Sequence, residues 1–332
     1  MNKKQFLWLL KLVVGLILIF MLYREINKGQ EILNAFKSAN WVNVSIGLAL
    51  LLPNVLLQFL KWRYILRTRY PEMGSGITLQ SLLFGFTLGF ITPGNLGELA
   101  RGLFFKKFDR LVITGLNVMD KLFGMMIFIT VGFVSLNIIM LTHFNWPGFV
   151  VLPVLIISLV FLVLIWIIAL NPQWVRSFLY GINTMLPVRE KIKSFISCLD
   201  NFRRKDSLIM IAYGFIWFLI IFFQYHVMIL AFANVNIIDS FLSVSALLFT
   251  KVALPISFGD LGIREGASVF YYMLYGIPKA AAFDAALLIF VINFIVPALG
   301  GIYFVFKLRW EMKRSNELAK TAADRGKMME KI

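Results

Sequence analysis

The sequence predicts an all-α polytopic membrane protein with six spans and two re-entrant broken-helix hairpins, arranged as an inverted-topology repeat. Three observations predict this. The chain of 332 residues is 60% hydrophobic and only 15% charged, where average soluble domains carry about 25% charge. Its mean hydropathy is +0.81, and several apolar runs reach the roughly 20 residues that a bilayer crossing needs. Finally, two apolar regions are interrupted at their centres by related motifs, "TPGNLG" at 92–97 and "SFGDLG" at 257–262, set 165 residues apart.

The elements follow in order. "MNKK" opens an apolar run at about 6–23, which reads as an uncleaved first span because no small-x-small cleavage site follows. A short amphipathic segment is expected at about 29–40 and a second span at about 43–60. The region 77–105 is the first hairpin. Each of its halves is short for a crossing, so it is expected to enter, break at mid-depth and leave on the same side. Spans follow at about 111–141 and 148–170, then an amphipathic interfacial helix at about 173–200. A span at about 207–232, the second hairpin at 241–275 and a last span at about 285–306 complete the set, with a kink expected at Pro297. One membrane domain, 1–310, is expected, with halves of about 1–142 and 143–310, followed by a charged cytoplasmic tail at 311–332.

Charge orients this layout. The net charge is +16. With both termini in the cytoplasm, Arg24, Lys28, Lys37 and Lys279 lie outside, and most of the 33 Lys and Arg fall inside, as the positive-inside tendency requires. Lys61, Arg63, Arg67 and Arg69 begin that cytoplasmic collar, which faces anionic lipid head groups. The excess is therefore read as membrane-facing, not as a nucleic-acid footprint. Each half holds three crossings, an odd number, so the second half is inserted upside down and the hairpins approach from opposite faces.

The single cysteine, Cys198, excludes an intrachain disulfide, and two histidines make a His-rich metal site a poor expectation. No P-loop, HExxH or GxSxG motif appears. No cofactor, metal or enzymatic activity is expected.

The polar residues of the two breaks are the candidate binding site. Gly94, Gly97, Gly259 and Gly262 free the backbone, and Asn95 and Ser257 accompany them. Pro93 and Pro255 stop the incoming half-helices. The restarted half-helices point free N–H groups and a positive dipole end inward, which favours an anion such as phosphate. Eight charges are expected deep in the membrane: Glu98, Arg101, Asp120, Lys121, Lys251, Asp260, Arg264 and Glu265. Each isolated charge there costs at least about 2.5–3.5 kcal/mol. Pairing is one explanation, with Glu98–Arg101 at i,i+3 and Asp260–Arg264 at i,i+4. A polar, water-accessible cavity is the other, and the two are compatible. Asp120–Lys121 and Arg264–Glu265 are sequence neighbours that need partners on other elements. Asn54, Gln58, Gln224, His226 and Asn293 could line the cavity, and as a class such residues are more often interhelical hydrogen-bonding groups.

These segments resemble a known family. "FGFTLGFITPGNLGELARGLFFKK" (84–107) is similar to the Pro-Gly-x-x-Gly-Glu-x-x-Arg segment of the lysylphosphatidylglycerol-synthase transmembrane region, also called the flippase-like family. "LPISFGDLGIREG" (254–266) resembles its second signature, "LKWRYILR" (60–67) its basic-aromatic span end, and "VMDKLFG" (118–124) its acidic-basic pair. Lys121 stands where an Arg is usual, and Asp260 where a small residue is common. The resemblance implies a bacterial cytoplasmic-membrane protein that moves a phospholipid, or an aminoacylated or glycosylated lipid, between leaflets. No synthase domain follows within the sequence, so a lipid mover, not a lipid maker, is expected. In this picture Arg101, Arg264 and the helix starts receive phosphate, and Glu98, Asp120, Asp260 and Glu265 receive an amine or an ion. The expected partners are membrane lipids with anionic or zwitterionic head groups, with a lipid-modifying transferase and a second copy of the chain as further candidates. Two other functions remain open: an ion-coupled transporter of a small anion, and a non-transporting protein that presents lipid to a membrane transferase.

Overall fold

The structure is a computed structural model and describes residues 30–310, apart from 91, 93, 94, 106, 145, 184–188, 255–259 and 309. The expected first span and the charged tail lie outside the described residues, as do Pro93, Gly94, Pro255, Ser257 and Gly259. The described residues are helical, without strands.

Among the described residues, five helices are long and apolar enough to cross a membrane, and they coincide with the remaining expected spans. After a short amphipathic helix α1 (Gln30–Lys37), α2 (Trp41–Arg69) starts where the Asn40 side chain accepts from the N–H groups of Val42 and Asn43. Its helical bonding is interrupted at Leu50. Pro53 lies three residues on and lacks the N–H that would meet the Ala49 carbonyl. α2 runs about nine residues past its expected end, which corrects the reading of Lys61. That side chain is 4% exposed inside the protein and does not belong to the basic collar.

The first interrupted region folds as a hairpin of α3 (Ser75–Phe90) and a 3-10 helix (Leu96–Phe104). The arms run antiparallel, with Arg101 against Gly85 and Glu98 against Gly89. A side-chain carbon at Gly97 would lie 2.0 Å from the Leu88 carbonyl oxygen, so only glycine permits this closeness. The second arm was expected to restart as an ordinary helix. It winds more tightly, with i→i+3 bonds such as Glu98 N–H to Asn95 O and Phe105 N–H to Gly102 O.

α4 (Arg110–His143) is the longest helix among the described residues, capped by Asp109, whose carboxylate accepts from the N–H groups of Leu111 and Val112. α5 (Gly148–Leu170) leaves most of its apolar surface exposed, as lipid-facing helices do. The expected interfacial helix is two shorter ones, α6 (Pro172–Asn183) and α7 (Arg189–Ile196), followed by a 3-10 turn at Ser197–Leu199.

α8 (Arg204–Leu230) returns through the centre. The second hairpin is α9 (Ile237–Ala253) and α10 (Ile263–Met273). Its arms are tied by Ser240 to the Tyr272 hydroxyl at 3.0 Å and by Thr250 to the Tyr271 hydroxyl at 2.9 Å. α11 (Lys279–Leu308) closes the fold. Its irregularity is a π-turn at Val291–Ile295, just before Pro297. Pro297 cannot bond the Asn293 carbonyl, and the wider turn absorbs the missing bond.

Candidate functional site

Two residues hold the two breaks in shape. Asn95 has φ 55° and Asp260 φ 61°, and they are the two non-glycine residues with positive φ among the described residues. They occupy the same position in the two matching motifs. Asn and Asp tolerate this left-handed conformation better than other side chains. The glycines two residues later serve different ends: Gly262 takes φ 81°, while Gly97 permits the close approach to Leu88.

The breaks adjoin one cavity of about 210 Å³. Of the expected site residues, Asn95, Glu98, Arg101, Asp120, Lys121, Lys251 and Asp260 line it. With Lys61, which also lines it, this makes four cations and three carboxylates. Gly97, Gly262, Arg264 and Glu265 are not part of its wall.

The charges form two groups. In the first, Asp120 bridges Lys61 at 3.1 Å and Arg101 at 3.6 Å, while Glu98 bridges Arg101 at 3.1 Å and Lys121 at 3.3 Å. Neighbours in sequence therefore pair outward onto other elements, as expected for Asp120 and Lys121. Asn117 donates to the Glu98 carbonyl at 2.6 Å, and Lys121 donates to the Asn95 carbonyl at 2.9 Å, so α4 grips the break directly. In the second group Lys251 meets Asp260 at 3.1 Å. This corrects the expected Asp260–Arg264 pair. The left-handed turn at Asp260 directs its carboxylate to the facing arm of the hairpin and not one turn along its own helix.

Arg264 and Glu265 are wholly buried. The Arg264 guanidinium lies over the rings of Phe294 and Phe290 at 4.7 and 5.0 Å, and 4.0 Å from Glu265. Glu265 accepts from the Gly262 N–H at 2.6 Å and so caps its own helix. The Gly97 N–H donates to the Thr92 hydroxyl at 2.6 Å. At each helix start expected to hold phosphate, one N–H is thus taken by an oxygen of the protein itself.

Exposure separates the cations. The Arg101 side chain is 3% exposed and lies over Trp62 and Phe86, whereas Lys121 is 25% exposed and Lys251 21%. A guest in the cavity can reach the two lysines far more readily than the two arginines. Lys251 also lies over Phe294 at 5.0 Å and Lys61 over Trp217 at 4.8 Å.

An amide ladder closes one side. Gln224 donates to the Gly47 carbonyl at 2.9 Å and accepts from Asn293 at 2.8 Å. Asn293 accepts from Asn54 at 3.2 Å, and the Asn54 oxygen accepts from Gln58 and Trp217. Asn54, Gln224 and Asn293 are interhelical links as expected, whereas Gln58 bonds Asn54 within its own helix; Asn54, Gln58 and Asn293 also face the cavity. His226 stacks on Phe222 instead. Lys61 was missed, although Asn54, Gln58 and Lys61 are spaced four and then three residues apart, the mark of one polar helix face. The Gly85-x-x-x-Gly89 spacing that seats Arg101 and Glu98 was missed as well.

A family model described as the lysylphosphatidylglycerol synthase TM region matches residues 8–301. The chain belongs to this family. Comparisons with curated proteins and with solved structures give no match. The matched region contains both hairpins and every charge that lines the cavity.

Proposed function

We propose that the protein is a membrane lipid transporter, not an enzyme, and that the cavity receives the phosphate-bearing head group of a phospholipid or of an aminoacylated or glycosylated lipid. The observation that carries this is the arrangement of Lys121 and Lys251. They are the accessible cations of a buried polar cavity, one from each charge group, and each is held by a carboxylate that an incoming phosphate can replace. Glu98 and Asp260, once released, are placed to receive an ammonium group. Among lining residues cations outnumber carboxylates by one, which favours a guest with net negative or zwitterionic charge.

The same left-handed turn at Asn95 and Asp260 supports an inverted repeat whose hairpins are re-entrant and meet at the cavity. Alternating access would then be a rocking of one half against the other. The proposed location is the bacterial cytoplasmic membrane with both termini inside, consistent with the basic collar.

A cavity of about 210 Å³ is smaller than the roughly 300–1,000 Å³ of drug-sized sites. It suits a head group without its tails, and it suits a small free anion equally. Glycerol 3-phosphate is therefore an informative probe. It should raise the thermal midpoint of the purified protein, and Lys121→Ala should abolish that rise, read against the variant's own unliganded midpoint, which falls with the loss of the Lys121–Asn95 hydrogen bond. No stabilisation of the parent at millimolar probe would remove the phosphate assignment. If the parent carries free glycerol 3-phosphate but not lipid across proteoliposomes, the small-anion reading replaces this one.

A further inference from the structure

A second, apolar groove of about 350 Å³ lies beside the polar cavity. One wall is α4 from Gly115 to Ile129, and the others are the end of α5, α6 and the stretch from Phe195 to Leu199. Most of its lining is Leu, Ile, Val, Met and Phe. At Gly115 the two walls approach closely, since a side-chain carbon there would lie 2.6 Å from the Phe195 carbonyl oxygen.

Met125 belongs to both the groove and the polar cavity. Met125 is the residue the two linings share, and Lys121 and Gly124 on the same stretch of α4 line the polar side. Lys121 stands one turn before Met125 on the same helix face, and Leu122, beside Lys121, lines the groove. Methionine is unbranched and repacks at little cost, which is what a movable partition needs. The groove is also long enough to hold the part of an acyl chain that crosses one leaflet. Gly115 to Ile129 spans about 21 Å of helix at 1.5 Å per residue, against about 15 Å for half of a 30 Å hydrocarbon core.

We infer that this groove seats an acyl chain of the same lipid whose head group enters the polar cavity, with Met125 as the partition the lipid passes. The inference rests on the lipid reading above. It gives the tails a defined path on the protein, at the level of the charge network.

The test uses the full chain in nanodiscs with phosphatidylglycerol bearing a diazirine in its acyl chain, and adducts are mapped by mass spectrometry after illumination. Adducts should be severalfold denser on Met119, Leu122, Met125 and Met126 than on Phe149 and Leu152 of the exposed α5 face. Lys121→Ala should lower the groove adducts and leave those on α5 unchanged. Equal labelling of groove and α5 face would overturn the inference. So would groove labelling indifferent to Lys121→Ala, because the groove would then hold a lipid unrelated to the cavity. Stabilisation by glycerol 3-phosphate reads the head-group site separately. A positive result there with an unlabelled groove overturns the tail path alone, and a negative one overturns the head-group reading on which it rests.

Discussion

Asn95 and Asp260 share a backbone conformation that other side chains rarely adopt, and they hold the same place in two motifs 165 residues apart. Each is gripped by a lysine: Lys121 donates to the Asn95 carbonyl at 2.9 Å, and Lys251 pairs with the Asp260 carboxylate at 3.1 Å. The two breaks thus solve one problem with different atoms. A turn must reverse the chain beside a polar cavity, and a cation must hold it there.

This relationship predicts the response to substitution at Asn95. Asn95→Gly should keep the thermal midpoint, because glycine adopts positive φ freely. Asn95→Val should lose about 1–2 kcal/mol through left-handed strain. Equal midpoints for the two variants in detergent would show that the turn does not depend on its conformation.

Asp120 is the keystone of the first charge group, since it holds both Lys61 and Arg101. Asp120→Leu should therefore destabilise strongly, by about 3–5 kcal/mol, by leaving buried cations uncompensated. Adding Lys61→Met should recover a large part of the loss. A chemical-denaturation series on the parent, the two single variants and the double variant measures the coupling. Additive losses would show that the pair is not coupled.

Much of this was legible in the sequence. Length and hydropathy located five described spans, because a bilayer admits few alternatives to a helix of about 20 apolar residues. The motif match located both breaks. Lys61 was not legible as a cavity residue, because it begins a run of four basic residues that dominates the charge pattern, and only the Asn54–Gln58–Lys61 face betrays it. The partner of Asp260 was hidden for a different reason. Spacing along one helix suggests Arg264, whereas φ 61° at Asp260 sends the side chain across the hairpin to Lys251. That one N–H at each helix start is taken by Thr92 or Glu265 was likewise invisible, since it depends on where those side chains point.

Thiol chemistry tests the topology. Cys198 is buried, and burial pushes its thiol up to about 12. At pH 7–8 it stays in the unreactive thiol form, and only above that value would thiolate dominate. The parent should thus resist maleimide in intact membranes, and Cys198→Ser should change nothing else. In that background, cysteines at Thr142 and Ala233 should label from outside and one at Gly74 from inside. Labelling of both hairpin mouths, near Gly74 and near Asp239, from one side would end the inverted-repeat arrangement.

The central claim is that Lys121 and Lys251 receive a lipid head group that then crosses the membrane. The most direct measurement is lipid movement in proteoliposomes, read by dithionite quenching of phosphatidylglycerol labelled on its acyl chain. The parent should render the inner-leaflet pool accessible. A variant carrying Lys121→Ala, Lys251→Gln and Asp260→Asn, which removes the accessible cations without stranding a buried carboxylate at Asp260, should not do so while keeping its fold by circular dichroism. Movement by that variant at the parent's rate would contradict the claim.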